Sequence, residues 1–586
     1  MTDNGEDRSK GGKDTHKASP ILKAESPGDR NISIYRAEGP GIFPSHTMQV
    51  FSTTQSFRHS PSQPAIERLP NELLGMIFKL AENDCVGHSH PLGARAPLNV
   101  SWVSKSWRQL ANNMPALWAS IDDTNAHMAP LFLERSGSAG LEIELARSHI
   151  NSRRYKEFFY PRKLYWEYID RLDEFFDPLV PYTSRWKSLQ LDGPTRDEVM
   201  PFLALPAPRL EDLCLDANDG CAEAVETGDA PQSLFGGFTP SLRHLTLVGV
   251  AIPLTSSIYL GLISLQLFQV TFQISPLRQL VQNLAACPLL EELSLGRLGF
   301  EPHSDDEPVH RPAVVVLPRL RAVSLNGLLS GDTRYLLRLI RSSASLWIHD
   351  EDGGDILEFF PLDEDVAKIL PNLCSTFKLR VWVYPLGDSC ILHGITPDSP
   401  AIIHQFRLEG PHNDNGPNIV RRTFAVIGQR FAYPQLRTLW VEGLCESALD
   451  PALFARVLGD LPTVTSISLR SASMCFIETL IVTPESQPCP LLRDLELVQC
   501  AVKSQSLIAL VASRAPRRDG NGQADVPPTI DHPDSSELGK YLRRIRLVGM
   551  SDIVPETIQT LESFLVEVLI PEGPLQWPGP DPFDVV

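Results

Sequence analysis

Apolar residues first recur at helical spacing in the stretch from Ile66 to Ala81. Pro70 suits the first turn of a helix there, because the N–H that proline lacks would have no partner in that turn anyway. The pattern then predicts one apolar helix face, at the i, i+1, i+4, i+5 and i+8 positions Leu73, Leu74, Ile77, Phe78 and Ala81. Such a face indicates either the first core helix of a domain or a surface that another protein covers.

A second helix is predicted from Leu98 to Asn112, after a polar loop at 82–97. Its apolar residues recur at steps of three and four, which is typical of one buried stripe: Val100, Val103, Trp107 and Leu110. A short third element follows and carries Leu117, Trp118 and Ile121. The three elements predict a compact helical unit over residues 66–121.

The tryptophans of this unit have two interpretations. Trp102, Trp107 and Trp118 most simply fill its core, since apolar stripes at helical spacing usually face inward. A unit as short as this one, however, has a marginal core. Several apolar residues stand at element ends, where burial within the unit is hardest: Leu69, Pro70, Phe78, Leu117 and Trp118. This surplus favours a partner surface.

From about residue 141 the pattern changes to short strands at a regular spacing. Each strand carries a pair of apolar positions, and the first of each pair recurs at a similar interval in Leu189, Leu213, Leu245, Leu265, Leu293 and Val323. Leu439, Ile467 and Leu495 follow at equal intervals, and no repeat boundaries are assigned between 327 and 436. Six strands follow a lead-in such as "APRLEDL" or "CPLLEEL", in which the proline blocks helix continuation and is expected to lie outside the hydrogen-bond ladder. A strand recurring with a period of roughly 20 to roughly 30 residues is typical of leucine-rich repeats.

Helical stretches between the strands complete each repeat. Examples are "SPLRQLVQNLAACP", "DTRYLLRLIRSS" and "PALFARVLGDLP". The predicted fold class is therefore an α/β repeat: a small three-helix unit, then a solenoid with a curved parallel sheet and outer helices, since stacked units complete one another's core. "PETIQTLESFLVEVLIP" at 555–571 is predicted to be a terminal capping helix.

These patterns divide the chain into five parts. A Ser-, Pro- and Gly-rich segment cannot bury enough apolar surface to offset its ordering entropy, which predicts a disordered tail at 1–63. The helical unit then covers 64–122, and a helical linker with the first strand covers 123–180. The solenoid covers 181–575 with a flexible insertion at 514–537, and a second tail covers 576–586.

Composition narrows the function classes. The formal charge of −18 argues against nucleic-acid binding, which needs a basic face, and weakly against binding an anionic membrane. The ten cysteines form no CxxC motif or paired framework, so reduced thiols and an intracellular location, cytoplasmic or nuclear, are expected. No signal-peptide pattern or apolar run of membrane-spanning length is found.

Catalytic and metal-binding motifs are absent from the sequence. There is no phosphate-binding loop, HExxH, GxSxG or kinase motif set. His88 and His90 in "GHSHP" are two ligands where zinc usually needs three or four. The acidic stretches at 303–308 and 351–355 lack the glycine and spaced glutamate of a calcium loop. We expect solvated loops at all three places, no cofactor or metal, and a protein that is not an enzyme.

Together, "LPNELLGMIF" and "PLNVSWVSKSWRQLANNMPALW" resemble the F-box motif. The loop at 82–97 is longer than in the compact motif, and Ser104 stands where cysteine is common. The resemblance implies that adaptor-binding or box-core roles fall on Leu69, Pro70, Leu73, Ile77, Phe78, Val103, Trp107, Pro115, Leu117 and Trp118.

The F-box followed by repeats resembles the F-box and leucine-rich-repeat proteins that are numerous in fungi. The resemblance implies a substrate-recognition subunit of an SCF-type (cullin-RING) ubiquitin ligase. Its partners would be a Skp-type adaptor, a cullin through that adaptor, and a protein substrate. The outward strand residues would form the substrate face: Gln190, Thr246, Gln266, Ser294, Ser324, Trp440 and Glu496. The alternatives are a repeat scaffold without a ubiquitination role and, far behind, an enzyme with an unmarked site.

Overall fold

The structure, a computed structural model, describes 65–83, 95–122, 125–145, 172–193, 196–217, 224–226, 233–300, 314–341, 343–350, 359–360, 371–397, 402–409, 418–427, 431, 433–515, 541–550, 553–564 and 566–570. The predicted tails at 1–63 and 576–586 lie outside these residues, as does nearly all of the insertion predicted at 514–537. The described residues from Leu69 onward belong to one compact unit.

The α-helices with defined bounds are α1 (Asn71–Asn83), α2 (Ala96–Val103), α3 (Lys105–Asn112), α4 (Ala129–Ser136), α5 (Arg196–Val199), α6 (Leu277–Ala285), α7 (Ser330–Leu339), α8 (Pro371–Cys374), α9 (Ile419–Val426), α10 (Pro451–Gly459), α11 (Met474–Glu478), α12 (Ser504–Arg514) and α13 (Pro555–Glu562). Short 3-10 helices lie at Ala65–Arg68, Pro115–Trp118, Ala126–Met128, Val180–Arg185, Leu234–Gly237 and Ser257–Tyr259. Helices α6, α7 and α10 confirm the three predicted between strands.

The strands are β1 (Ser120–Asp122), β2 (Leu141–Leu145), β3 (Trp186–Asp192), β4 (Asp212–Asp216), β5 (Ala224–Val225), β6 (His244–Val248), β7 (Ser264–Phe272), β8 (Glu292–Phe300), β9 (Val315–Val316), β10 (Ala322–Asn326), β11 (Ile340–Arg341), β12 (Ser345–Asp350), β13 (Lys378–Val383), β14 (Ser389–Ile395), β15 (Ile402–Glu409), β16 (Thr438–Glu442), β17 (Ser466–Arg470), β18 (Asp494–Val498), β19 (Arg544–Val548) and β20 (Glu567–Leu569). Eighteen of these strands form one sheet, and β9 pairs with β11 separately.

The sheet is mixed rather than wholly parallel. From β1 to β12, the strands of the sheet lie side by side in chain order. Among the described strands, β5 pairs only with the C-terminal end of β7. The strands follow chain order again from β16 to β20. In between, the spatial order is β15, β14, β13, and β14 runs antiparallel to both of its neighbours.

The predicted strand markers lie in register across the sheet. Leu189, Leu213, Leu245, Leu265, Leu293 and Val323 pair in succession, and Leu439, Ile467 and Leu495 do so in the second half. All nine are buried. A shift by one residue would turn each of these side chains to the other face, so the alternation along each strand specifies this register.

The lead-in prolines form turns that deliver the chain into the strands. In "APRL" the Leu210 N–H donates to the Ala207 carbonyl at 3.2 Å, which places Pro208 at the second position of a β-turn. Equivalent bonds run from Leu242 to Thr239 and from Leu492 to Cys489. The next backbone N–H then bonds the preceding unit, as from Glu211 to Lys187 at 2.8 Å. The proline therefore starts a turn and stays outside the ladder.

The exception in the sheet is a hairpin that the sequence pattern did not reveal. Strands β13 and β14 are joined by a tight turn in which the Tyr384 N–H donates to the Ser389 carbonyl at 3.2 Å. Gly387 has φ +74°, and a Cβ there would lie 2.8 Å from Asn418 Nδ2. A short turn can join only antiparallel strands. The prediction of a wholly parallel sheet was therefore wrong at β14.

The predicted capping helix at 555–571 was also wrong in part. Helix α13 ends at Glu562, and residues Glu567–Leu569 form β20 on β19. The hydrophobic core runs without a break from Leu74 in α1 to Val566 before β20. Among the described residues, no helix combines the length and apolar character needed to cross a membrane.

A buried histidine lies on β15, next to the antiparallel strand β14. His404 on β15 packs against Gly394 and stacks on Tyr433 with ring centroids 6.1 Å apart, and its ring nitrogens make no hydrogen bond to any described residue. Burial, followed by the nearby His393, lowers the pKa of His404 to about 3. His404 is therefore neutral in the folded protein over most of the acidic range.

We expect acid to destabilise the fold through His404. Between its unfolded pKa of 6.5 and its folded pKa of about 3, only the unfolded chain binds the proton. The free energy of unfolding should fall by about 1.4 kcal/mol for each pH unit below 6.5 from this group. Urea unfolding between pH 7 and pH 4 measures it, and His404→Phe should flatten the slope. Equal slopes in both proteins would contradict the assignment.

Candidate functional site

Helix α1 carries two apolar faces. Leu74 and Phe78 are 4% and 1% exposed and pack into the core, where the Phe78 ring lies 5.0 Å from that of Trp107. The opposite side holds four large apolar residues at i, i+3, i+4 and i+7: Leu73, Met76, Ile77 and Leu80, with exposures of 46%, 61%, 44% and 61%. We call these four the α1 stripe. The single face predicted from sequence is in fact divided between the core and solvent.

The ten predicted box residues fall into three groups. Five are exposed: Pro70, Leu73, Ile77, Val103 and Pro115. Leu69 and Trp107 are half-buried, while Phe78, Leu117 and Trp118 are buried. For these last three the interpretation as a partner surface was wrong, because Phe78 packs on Trp107 and Trp118 packs on Phe132 of α4. Adaptor binding by the accessible residues stays a prediction.

Sequence reasoning missed part of the exposed surface. Met76 and Leu80 were not assigned, although their positions three and seven places after Leu73 mark them. Trp102 was interpreted as core and is 83% exposed. The helical period does separate it from the buried Val100, because residues two positions apart point to different sides of a helix.

The predicted helix at 98–112 is two helices that meet at Ser104. Ser104 has an extended backbone (φ −155°, ψ 166°), and its hydroxyl accepts the N–H of Trp107 at 3.2 Å as the N-cap of α3. Serine is a preferred N-cap because its oxygen satisfies a free N–H at the helix start. The break leaves Trp102 and Val103 exposed at the end of α2.

A buried ion cluster fixes α1 against α2 and β1. The Arg95 guanidinium is buried, with Nη2 2.9 Å from Glu82 Oε1 and Nη1 3.0 Å from Asp122 Oδ2. Arg95 Nη2 also donates to the Ser120 carbonyl at 2.8 Å. Glu82 Oε2 accepts the Ala96 N–H at 3.0 Å, so it caps the start of α2. These contacts join the two helices across the long loop of the box.

The cluster places two carboxylates, those of Glu82 and Asp122, on one guanidinium. Burial raises the pKa of Glu82, and Arg95 opposes that shift. A guanidinium suits the place because its planar fork can bond several acceptors at once. Arg95 and Glu82 bracket the loop in the sequence, but two opposite charges separated by a loop are too common to identify such a cluster.

Trp118 connects the box to the elements that follow. Its ring is buried, and its Nε1–H donates to the Ala111 carbonyl at 2.9 Å. On the other side Phe132 packs edge-on at 5.2 Å and the Arg135 guanidinium lies 4.3 Å from the ring centroid. Shortly after Trp118 the chain enters β1, the first strand of the sheet. The box and the sheet therefore share one core.

The predicted outward strand residues lie in two stretches of one register row. Gln190, Thr246, Gln266, Ser294 and Ser324 follow one another across β3 to β10, with Cys214 on β4 between the first two. Trp440 and Glu496 lie in the second half of the row. Most are partly accessible, whereas Trp440 is only 6% exposed.

The row contains no activated nucleophile among its described residues. Burial, then the charges of Asp216 and Asp192, raise the pKa of Cys214 to about 11, so its thiol stays protonated. Within the described part of the chain, no three metal-ligating side chains are close enough to hold an ion. His88, His90 and the acidic stretches at 303–308 and 351–355 lie outside the described residues.

Comparison with known proteins identifies the first unit. A search of the curated proteins found no match to the chain. Residues 66–124 match the family described as F-box-like, a range that ends just after β1 and includes the α1 stripe, the Arg95 cluster and Trp118. F-box domains typically bind Skp-type adaptors. The chain thus carries an F-box-like domain at residues 66–124, followed by a large mixed α/β sheet region.

Proposed function

We propose that this protein is the substrate-recognition subunit of an SCF-type ubiquitin ligase. Its F-box-like domain docks on a Skp-type adaptor, and through it on a cullin, while the sheet region binds a protein substrate. The α1 stripe carries the proposal: four large apolar side chains are exposed on one helix inside an F-box-like domain. Exposed contiguous apolar surface of this kind is typical of a protein interface.

The stripe is suited to helix-in-groove docking. Its i, i+3, i+4 and i+7 spacing presents all four side chains to one partner surface. The opposite face of α1 is anchored by Leu74 and Phe78, so the stripe is held rigidly before binding. Little ordering entropy is then lost on association. Trp102, exposed on the same domain beside the exposed Val103, offers a further anchor of the type that dominates interfaces.

For the rest of the chain we propose a leucine-rich-repeat-like solenoid. The in-register leucines support it, as do the repeated proline turns and the backbone bonds that link unit to unit. Helices α6, α7 and α10 follow strands in the order that such a repeat requires. The outward row, from Gln190 to Glu496, would be the substrate face of this solenoid.

The proposed mechanism is tethering rather than chemistry. F-box proteins are generally non-catalytic substrate receptors. A chain that holds adaptor and substrate together raises their effective concentration for ubiquitin transfer by the ligase. The continuous core through Trp118 favours this role, because it would hold the two binding surfaces at a fixed separation.

Charging the α1 stripe should abolish docking. We expect the full-length variant with Ile77→Lys and Leu80→Lys to bind a purified Skp-type adaptor at least about 100-fold more weakly. Two apolar anchors would be lost, and burying two cations would cost more still. Calorimetric titration of wild type and variant measures the change, and thermal unfolding checks that the fold is kept.

Leu386→Lys is the matched control. Leu386 is 80% exposed in the turn between β13 and β14, outside the F-box-like domain, so its substitution should leave adaptor affinity unchanged. Absence of adaptor binding by the wild-type chain would refute the proposal. A second outcome would instead favour a scaffold. In it, the chain binds the adaptor, but no protein that binds the chain has a longer half-life in cells that lack it.

A further inference from the structure

An aromatic cluster lies on the outward face of the sheet near β14. The Trp382 ring contacts Trp440 at 4.9 Å and His393 at 4.6 Å, both edge-on. We call these three residues the tryptophan patch. Trp440 and His393 are buried, whereas Trp382 is partly accessible. A rigid aromatic surface of this kind is what extended proline-rich segments pack against.

The patch is bordered by cations on β13. Lys378 and Arg380 alternate with Trp382 along one face of the strand, and Arg380 pairs with Trp440 in the register. Burial, followed by the charge of Arg380, lowers the pKa of Lys378, while the charge of Glu496 raises it. An acidic segment would be favoured beside them.

The stretch at 571–586, "PEGPLQWPGPDPFDVV", has the matching chemistry. It contains five prolines, Trp577 and Phe583, with three acidic residues and no lysine or arginine. It begins just after β20, where Leu569 and Ile570 are 37% and 50% exposed. The sheet thus presents apolar surface at the point from which this stretch departs.

The distances allow the stretch to reach the patch. Five strand spacings separate β20 from β13, which carries Trp382, or about 24 Å at ~4.8 Å each. Pro578 is the eighth residue after Ile570, and a proline-rich stretch of that length spans about 25 Å when extended. Trp577 and Pro578 can therefore lie over Trp382 without crossing the sheet edge.

We propose that segment 571–586 docks on the outward face of the C-terminal strands, with Trp577 and its neighbouring prolines on the tryptophan patch and its acidic residues beside Lys378 and Arg380. The docking itself is independent of the ubiquitin-ligase proposal. If that proposal also holds, the segment covers part of the substrate face and competes with a substrate for it.

A labelled peptide can test whether the segment occupies the patch. The probe is a fluorescein-labelled synthetic peptide of residues 571–586, followed by anisotropy. The full-length variant with Trp577→Ala and Phe583→Ala releases its own segment, so it should bind the peptide at least tenfold more tightly than the wild-type chain. Adding Trp382→Ala to that variant should weaken binding at least fivefold.

Trp102→Ala in the same variant is the control. Trp102 is 83% exposed in the F-box-like domain, and its removal should leave peptide affinity unchanged. Equal affinity of the peptide for wild type and variant would overturn the proposal and leave the patch open to a partner's segment. The proposal would also be overturned if the peptide did not bind the variant with Trp577→Ala and Phe583→Ala. The same holds if Trp382→Ala and Trp102→Ala reduced the affinity for the peptide equally. None of these measurements involves the adaptor.

Discussion

Arg95→Ala should lower the free energy of unfolding by about 3–5 kcal/mol, because it leaves the buried carboxylate of Glu82 and the partly buried one of Asp122 without their cation. Arg95 Nη2 lies 2.9 Å from Glu82 and Nη1 lies 3.0 Å from Asp122. Glu82 also caps α2, so repulsion between the two acids would disturb the helix angle within the box. Urea unfolding followed by circular dichroism measures the loss.

Two further variants distinguish the effect of disrupting the buried cluster from the effect of removing any arginine. Arg321→Ala removes a guanidinium whose side chain is 76% exposed and which lies 3.5 Å from Glu291, so it should change stability by less than about 0.5 kcal/mol. Adding Glu82→Gln to Arg95→Ala removes one orphaned charge and should restore part of the loss. A loss below about 1 kcal/mol in Arg95→Ala would contradict the assigned role.

Trp118→Ala is expected to cost about 3–5 kcal/mol, since it opens a cavity in a packed core. The indole is buried between the Ala111 carbonyl, the Phe132 ring and the Arg135 guanidinium. The cavity would lie where the box meets the sheet. We therefore expect adaptor binding and sheet stability to fall together, which calorimetry and urea unfolding measure on the same protein.

Trp118→Phe tests which contacts matter. Phenylalanine keeps most of the apolar volume but loses the hydrogen bond to Ala111, so a loss of about 1–2 kcal/mol is expected. Trp102→Ala removes an exposed tryptophan of the same domain and should have almost no effect on stability. Equal effects of Trp118→Ala and Trp102→Ala would show that Trp118 does not connect the two regions.

Predictions from the sequence were reliable where one local rule decides the structure. The strand markers pair as expected because an alternating strand in the wrong register would expose its leucines. The proline lead-ins were correctly placed outside the ladder for the same local reason, as proline cannot donate a hydrogen bond. The first helix also lies where its apolar period predicts it.

The interval without assigned repeats, 327–436, is where the sheet departs from chain order. Strand β14 is buried along its whole length, so it lacks the apolar–polar alternation that marked the other strands. Its position depends on pairing with β13 and β15, and the residues of β14 alone do not indicate which strands it pairs with. Tertiary contacts therefore decided the topology there.

The sequence by itself determined most of the helices and strands, their spacing and the resemblance of the first unit to an F-box, because these depend on neighbours within one helix turn or one strand. Only the tertiary structure decided which apolar residues are exposed. Leu73 and Leu74 are adjacent leucines in one helix, yet one faces solvent and the other the core. Exposure depends on what packs opposite, and for Trp118 that is α4, beyond the box.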